Sequence, residues 1–199
     1  MHQHFTYREL IFALWIAWFA YWLISAAATK PTRQRESRAS RLTYTVPLLL
    51  GVWLIARPRV GSGWFSVQLL PEARWRYLLA LALLLAGLLL TVWARVHLGR
   101  NWSGTVTLKE GHELIRSGPY AYVRHPIYTG LSLAMLGCAI ACGEPRALLG
   151  LGLVICSFLY KLRLEERFMR QLFPGQYQRY SAEVPALVPF APPRRPAPP

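Results

Sequence analysis

Long unbroken apolar blocks, separated by short basic segments, set the pattern of this chain. Five such blocks stand out: Leu10–Ala28, Leu42–Ala56, Tyr77–Ala94, Ile127–Cys142 and Ala147–Tyr160. The first and third are long enough to cross a bilayer as helices. The second contains Pro47 and stops at Arg57-Pro58-Arg59. The fourth and fifth are separated only by Gly143-Glu144-Pro145-Arg146, a connection so short that it predicts an antiparallel helical hairpin. Ser25-Ala26-Ala27-Ala28 resembles a signal-peptidase site, but the block before it is long and Trp-rich and only Arg8 beside Glu9 precedes it. An uncleaved first span is the expectation. The pattern predicts an all-α polytopic membrane protein of about five transmembrane helices. Residues 1–94 would hold three spans and 95–190 a long polar connection, the hairpin and a C-terminal segment, with 191–199 a Pro-rich disordered tail.

Composition agrees with this reading. Apolar residues make up 54% of the 199 and charged residues only 16%, where a soluble domain carries roughly a quarter charged. The net charge of +14 does not point to nucleic acid, because no single basic face alternates with aromatics. The positive residues lie between apolar blocks, as the positive-inside rule would place them. Seventeen of the 23 Lys and Arg fall in the first-to-second connection, the third-to-fourth connection and the C-terminal segment. That asymmetry puts those three on the cytoplasmic side and the N-terminus outside. All nine acidic residues are Glu, which argues against an EF-hand or a kinase-type metal site. Cys138, Cys142 and Cys156 all lie within apolar blocks and read as small hydrophobes. Neither a disulfide framework nor a metal site is expected, and no repeat of transporter type occurs.

Two polar features interrupt the apolar pattern. The first is the run Arg116–Gly130, in which Gly118-Pro119 signals a turn and Pro126 opens the fourth helix. Arg124, His125 and the unpaired amides of that helix terminus suit an anionic group. Tyr128 offers a ring and a hydroxyl, and Gly130 permits close approach of a ligand. The second is Glu165-Glu166, straight after the fifth block. Carboxylates at a membrane boundary are costly and need a reason, and one candidate is pairing with Lys161, Arg163 or Arg170 at helical spacing. The hairpin brings His125 and Glu165 to the same end. An anion cradle beside a carboxylate pair fits a zwitterionic ligand with a fixed cation.

The run GPYAYVRHPIYTG, one hairpin, then EERF and LFPGQYQRYSAEVPALVPF resembles the isoprenylcysteine carboxyl methyltransferase family and the wider group of phospholipid methyltransferases. The resemblance covers about Trp102–Phe190. It implies S-adenosyl-L-methionine held by His112, Glu113, Leu114, Ile115, Tyr120, Arg124, His125, Pro126, Ile127, Tyr128, Gly130, Glu165 and Glu166. It further implies a catalytic position at Glu165 with Arg163, and a substrate carboxylate near Lys161 or Arg163. One departure stands out: the polar residue that eukaryotic members place upstream of His112 has no match around Thr105–Thr107.

The expected activity is therefore methylation of a lipophilic or lipidated substrate at the cytoplasmic membrane face, with membrane lipid as surroundings and neither nucleic acid nor metal as partner. A carboxylate acceptor is ionised at pH 7 and needs no base, whereas a lipid amine would make Glu165 or Glu166 a candidate base. Competing readings are a phospholipid N-methyltransferase, an NADPH-dependent sterol-type reductase using Lys109, Arg116 and Arg124, and a membrane scaffold without activity.

Overall fold

The computed structural model describes residues 2–26, 32–35, 37–57, 63–99, 102, 107–109 and 114–189. In chain order these form α1 (His2–Ala26), β1 (Thr32–Arg35), α2 (Arg38–Ala56), α3 (Arg74–Leu98), β2 (Thr107–Lys109), α4 (Pro126–Cys142), α5 (Pro145–Leu172) and α6 (Gln176–Glu183). Single 3-10 turns at Trp64–Ser66 and Gly118–Ala121 join them. Helices α1, α2, α3 and α5 are long and apolar enough to cross a membrane, and α4 is a shorter apolar helix. The architecture is that of an all-helical integral membrane protein, apart from one two-stranded ribbon.

Several helix boundaries differ from the apolar blocks. Helix α3 runs from Arg74 to Leu98 and α5 from Pro145 to Leu172, because charged residues with good helix propensity continue a helix after its apolar run has ended. Glu165 and Glu166 therefore sit on α5 itself. The ribbon was not expected either. Antiparallel pairing of β1 with β2 aligns Gln34 with Leu108 and Arg35 with Thr107, so the first-to-second and third-to-fourth connections lie at one end of the bundle. The tail 191–199 lies outside the described residues.

Small residues decide how the helices cross. On α4, Gly130, Ala134 and Gly137 recur at helical spacing and meet Ala80, Leu84, Gly87 and Thr91 of α3. A Cβ on Gly130 would come within 2.5 Å of the Gly87 carbonyl, so a side chain there would force the two backbones apart. Gly51 of α2 and Gly150 of α5 touch in the same way. Helices in lipid gain no hydrophobic drive from associating, so backbone-to-backbone contact over small residues carries the packing. Helix α1 is attached differently: Trp18 Nε1 donates to Thr91 Oγ1 at 2.6 Å, Trp15 Nε1 to Cys138 Sγ at 3.3 Å, and Arg95 to the Ser25 carbonyl.

The hairpin turns at Gly143, whose φ of +68° is the left-handed value that glycine adopts freely. Below it Arg76, 1% exposed, donates to the carbonyls of Leu70 at 2.7 Å and Ala141 at 3.2 Å and to the Tyr77 hydroxyl at 2.8 Å. Arg146 donates to Glu144 at 2.6 Å and to the Leu54 carbonyl.

Candidate active site

The other end of the hairpin brings the two polar features together. His125 is the N-cap of α4 and Pro126 its first residue; proline suits that position because it has no amide to leave unpaired. The extended stretch that follows α6 pairs with the chain just before α4. Arg124 N–H donates to the Pro185 carbonyl at 2.9 Å, His125 N–H to the Ala186 carbonyl at 3.0 Å, and Thr129 Oγ1 to the Leu187 carbonyl at 2.7 Å. The C-terminal segment is thereby strapped across the start of α4.

Arg124 fixes this strap to α5. Its Nε and Nη2 donate to Glu166 Oε1 at 2.9 and 2.6 Å, and its Nη1 donates to the Ser181 carbonyl at 3.1 Å and to the Val184 carbonyl. Arg170 Nη2 adds a bond to Glu166 Oε2 at 3.2 Å. Charge-assisted bonds of this kind are roughly twice as strong as neutral ones. His125 lies between the two carboxylates, with Nε2 3.4 Å from Glu166 Oε1 and Nδ1 3.6 Å from Glu165 Oε2. Burial opposes the imidazolium, yet hydrogen bonding and charge from Glu165 and Glu166 outweigh it and raise the His125 pKa above the ordinary value.

Glu165 is bound differently. Tyr128 Oη donates to Glu165 Oε1 at 2.5 Å, and the Tyr128 ring stacks between His125 (5.7 Å) and Phe158 (5.2 Å). The Glu165 side chain keeps 26% of its surface exposed, against 9% for Glu166. Behind the strap, Tyr180 Oη donates to the Tyr120 carbonyl at 2.6 Å. Burial, with the charge of Glu165 next, pushes the Tyr120 phenol up. Burial likewise pushes Tyr180 up to about 12, against the pull of Arg124 and Arg116. Both phenols therefore keep their protons at neutral pH, and that of Tyr180 acts as the donor.

Comparison with known proteins decides what this geometry belongs to. The family model for phospholipid methyltransferases matches residues 75–176. That span takes in α3, α4, α5 and the start of α6. The chain belongs to the phospholipid methyltransferase family. Among curated relatives, the protein-S-isoprenylcysteine O-methyltransferase of Schizosaccharomyces pombe is 34% identical over 116 residues, covering 57% of this chain and 49% of the relative. Protein-S-isoprenylcysteine O-methyltransferase B of Arabidopsis thaliana is 28% identical over 113 residues, 55% of this chain and 57% of the relative. The chain thus spans about half the length of the curated relatives it matches. A solved structure of the eukaryotic intramembrane Ras methyltransferase ICMT has the same fold, with a TM-score of 0.50 and 22% identity, covering 76% of this chain and 51% of that one.

Within this family frame, the structure gathers His125, Glu165, Glu166, Arg124, Tyr128 and Tyr120 at one end of the hairpin. Leu114 packs against Tyr177, Tyr180 and Val184 under the strap; Ile115 follows it, half-buried, and Ile127 is half-buried in the first turn of α4. His112 and Glu113 lie outside the described residues. Arg163 is exposed, and the helix period turns it about 200° away from Lys161 and clear of the cluster. Gly130 is also placed elsewhere than expected: the face it leaves open is filled by Gly87 and Thr91 of α3. Arg124, expected at the anionic end of a ligand, already directs its donors to Glu166 and two carbonyls. Among the described residues no group of three or more His, Cys or Glu could hold a metal.

Sequence reasoning missed the strap's own contribution. The carbonyls of Ser181, Val184, Pro185, Ala186 and Leu187 bind Arg124, His125 and Thr129. The available signal was Pro185 and Pro189, which keep a chain from turning helical and leave its carbonyls free to accept bonds.

Proposed function

We propose that this protein is an integral membrane S-adenosylmethionine-dependent methyltransferase that methylates the carboxylate of a lipophilic, isoprenylcysteine-like substrate at the cytoplasmic face. The observation that carries the reading is the half-buried Glu165 side chain, held by Tyr128 and His125 inside the segment that the family model matches. The site end also carries the connections that hold most of the basic residues, which supports the cytoplasmic assignment.

The donor set fits the cofactor. S-adenosylmethionine supplies an electrophilic methyl group on a sulfonium. Glu165, fixed by Tyr128 and His125, would hold that cation, while the first-turn amides of α4 would face its carboxylate. Arg124 and Glu166 keep the strap closed over these residues. Lys161 would orient the acceptor carboxylate, which is ionised at pH 7 and requires no base. The chain's contribution to rate is then alignment and exclusion of water. A nicotinamide-dependent reductase is not favoured, since the family is one of methyltransferases and the two relatives described above are isoprenylcysteine O-methyltransferases.

Titration of the purified protein with S-adenosylmethionine and separately with NADPH tests the reading. Binding of the first alone is expected, with Glu165→Gln and His125→Ala each weakening it at least about tenfold. Unchanged affinity in both variants would remove the assigned site. Incubation with isotopically labelled cofactor and either an S-isoprenylcysteine or a phospholipid amine then separates O- from N-methylation.

A further inference from the structure

Helix α2 lies outside the segment matched by the family model, which begins at residue 75, yet one of its side chains reaches the site. Tyr44 is 4% exposed. The ammonium of Lys161 lies 5.2 Å from the centre of its ring and 5.8 Å from that of Tyr128. Two aromatic faces from two different helices therefore share one cation supplied by a third. Such contacts strengthen where water is excluded.

The placement of Tyr44 is itself held in two ways. Ser157 Oγ of α5 donates to the Tyr44 carbonyl at 2.5 Å, which ties α2 to α5 beside the ring. Further along, Gly51 and Gly150 bring α2 and α5 into backbone contact. Lys161 lies one turn after Ser157 and one turn before Glu165, so the same face of α5 carries the tether, the ammonium and the carboxylate. A lysine otherwise has four rotatable bonds and a strongly hydrated head. At a membrane boundary it would swing to water.

We propose that Tyr44 is a positioning residue of the catalytic centre, which together with Tyr128 holds the Lys161 ammonium towards the methyl acceptor. The role in acceptor binding rests on the methyltransferase reading above; the grip of Tyr44 on Lys161 does not. The N-terminal spans are then part of the site as well as a membrane anchor, and acceptor binding depends on how α2 docks on α5.

The sequence offers a clean test, because Lys30, Lys109 and Lys161 are its only lysines. Reductive methylation with ¹³C-formaldehyde keeps the charge and gives each lysine a methyl resonance, with Lys161→Arg assigning the third. Ring currents from two tyrosine faces are expected to move the Lys161 signal upfield of the other two. Tyr44→Phe retains that shift and Tyr44→Leu loses a large part of it. In unmodified protein, Tyr44→Leu raises KM for an S-isoprenylcysteine about tenfold, equivalent to about 1.4 kcal/mol. The Kd for S-adenosylhomocysteine and kcat stay within about twofold of wild type, on the scale of a few tenths of a kcal/mol. A Lys161 signal without upfield shift in the wild type, or one unaffected by Tyr44→Leu, overturns the proposal, and so does an equal loss of nucleoside and acceptor affinity. If the shift depends on Tyr44 while wild type methylates no S-isoprenylcysteine, the grip on Lys161 stands and the acceptor assignment falls. The wild-type shift needs only Lys161→Arg for its assignment, so its absence overturns the proposal even where Tyr44→Leu fails to fold.

Discussion

The two ends of the hairpin both bury arginine against glutamate, and they use the pair differently. At the turn end, Glu144 and Arg146 are 3% and 4% exposed, and with Arg76 they bind carbonyls of α2, α4 and the segment before α3. All three of these charges are enclosed by the protein. At the site end, Arg124 and Glu166 make the same kind of closed contact between α5 and the strap. Beside them stands one carboxylate more than the strap requires: Glu165, with 26% of its side chain exposed. A buried pair locks elements together because separating it is costly. A carboxylate that is anchored but still reachable can also meet a ligand. The difference between the ends is the difference between a lock and a site.

The largest effect is expected at the lock. Replacing Arg146 by Met leaves Glu144 buried without its cation, which costs about 3–5 kcal/mol when one partner of a buried pair is removed. Thermal melting in detergent should show a severely destabilised protein. Adding Glu144→Gln should recover part of the loss. A single variant that melts like wild type would show that the turn end does not depend on its ion pair.

Next come the two neighbouring glutamates, which the comparison predicts to separate cleanly. Glu166→Gln leaves Arg124 short of its counter-charge and loosens the strap, at about 1.5–3 kcal/mol for lost bonds to charged groups. Glu165→Gln should alter melting by no more than about 1 kcal/mol, the scale of one net hydrogen bond. It should nevertheless weaken cofactor binding at least tenfold, or about 1.4 kcal/mol. Calorimetric titration and melting curves on the same preparations check both. Equal destabilisation by the two substitutions would erase the distinction between lock and site.

Much of this arrangement is readable from the chain. Apolar length and basic asymmetry point to a polytopic helical protein, and the four-residue turn at 143–146 is enough to bring His125 and Glu165 to one end. Arg163 shows where that reasoning stops. It lies two residues from Lys161 and two from Glu165, and only the helix period, once α5 is seen to continue past Tyr160, turns it outward. Gly130 is ambiguous for another reason: a missing side chain admits a ligand or a neighbouring backbone equally well, and the partner, Gly87, is distant in sequence. Tyr44 leaves no local pattern at all, and Pro185 and Pro189 mark the strap carbonyls as free without naming their partners. Their roles come from tertiary contacts between segments far apart in the chain.

The smallest effect expected concerns His125, which belongs to both sides of the comparison because it touches the locked Glu166 and the reachable Glu165. Burial disfavours its charged form, while its hydrogen bonds to Glu165 and Glu166 and their charges win, so its pKa in the folded protein is raised. The unfolded value is about 6.5. A raised folded value means that the native state holds the proton more tightly, so the stability it contributes is fully present below about pH 6.5 and is lost as pH rises through the folded pKa. Melting temperature should therefore decline through that window by an amount comparable to one net hydrogen bond, about 1 kcal/mol. The decline should be absent in His125→Gln, which keeps a polar group but cannot titrate. Nuclear magnetic resonance of the imidazole gives the midpoint independently. A midpoint below the ordinary histidine value would mean that burial prevails over the two carboxylates, and that His125 stands neutral between them.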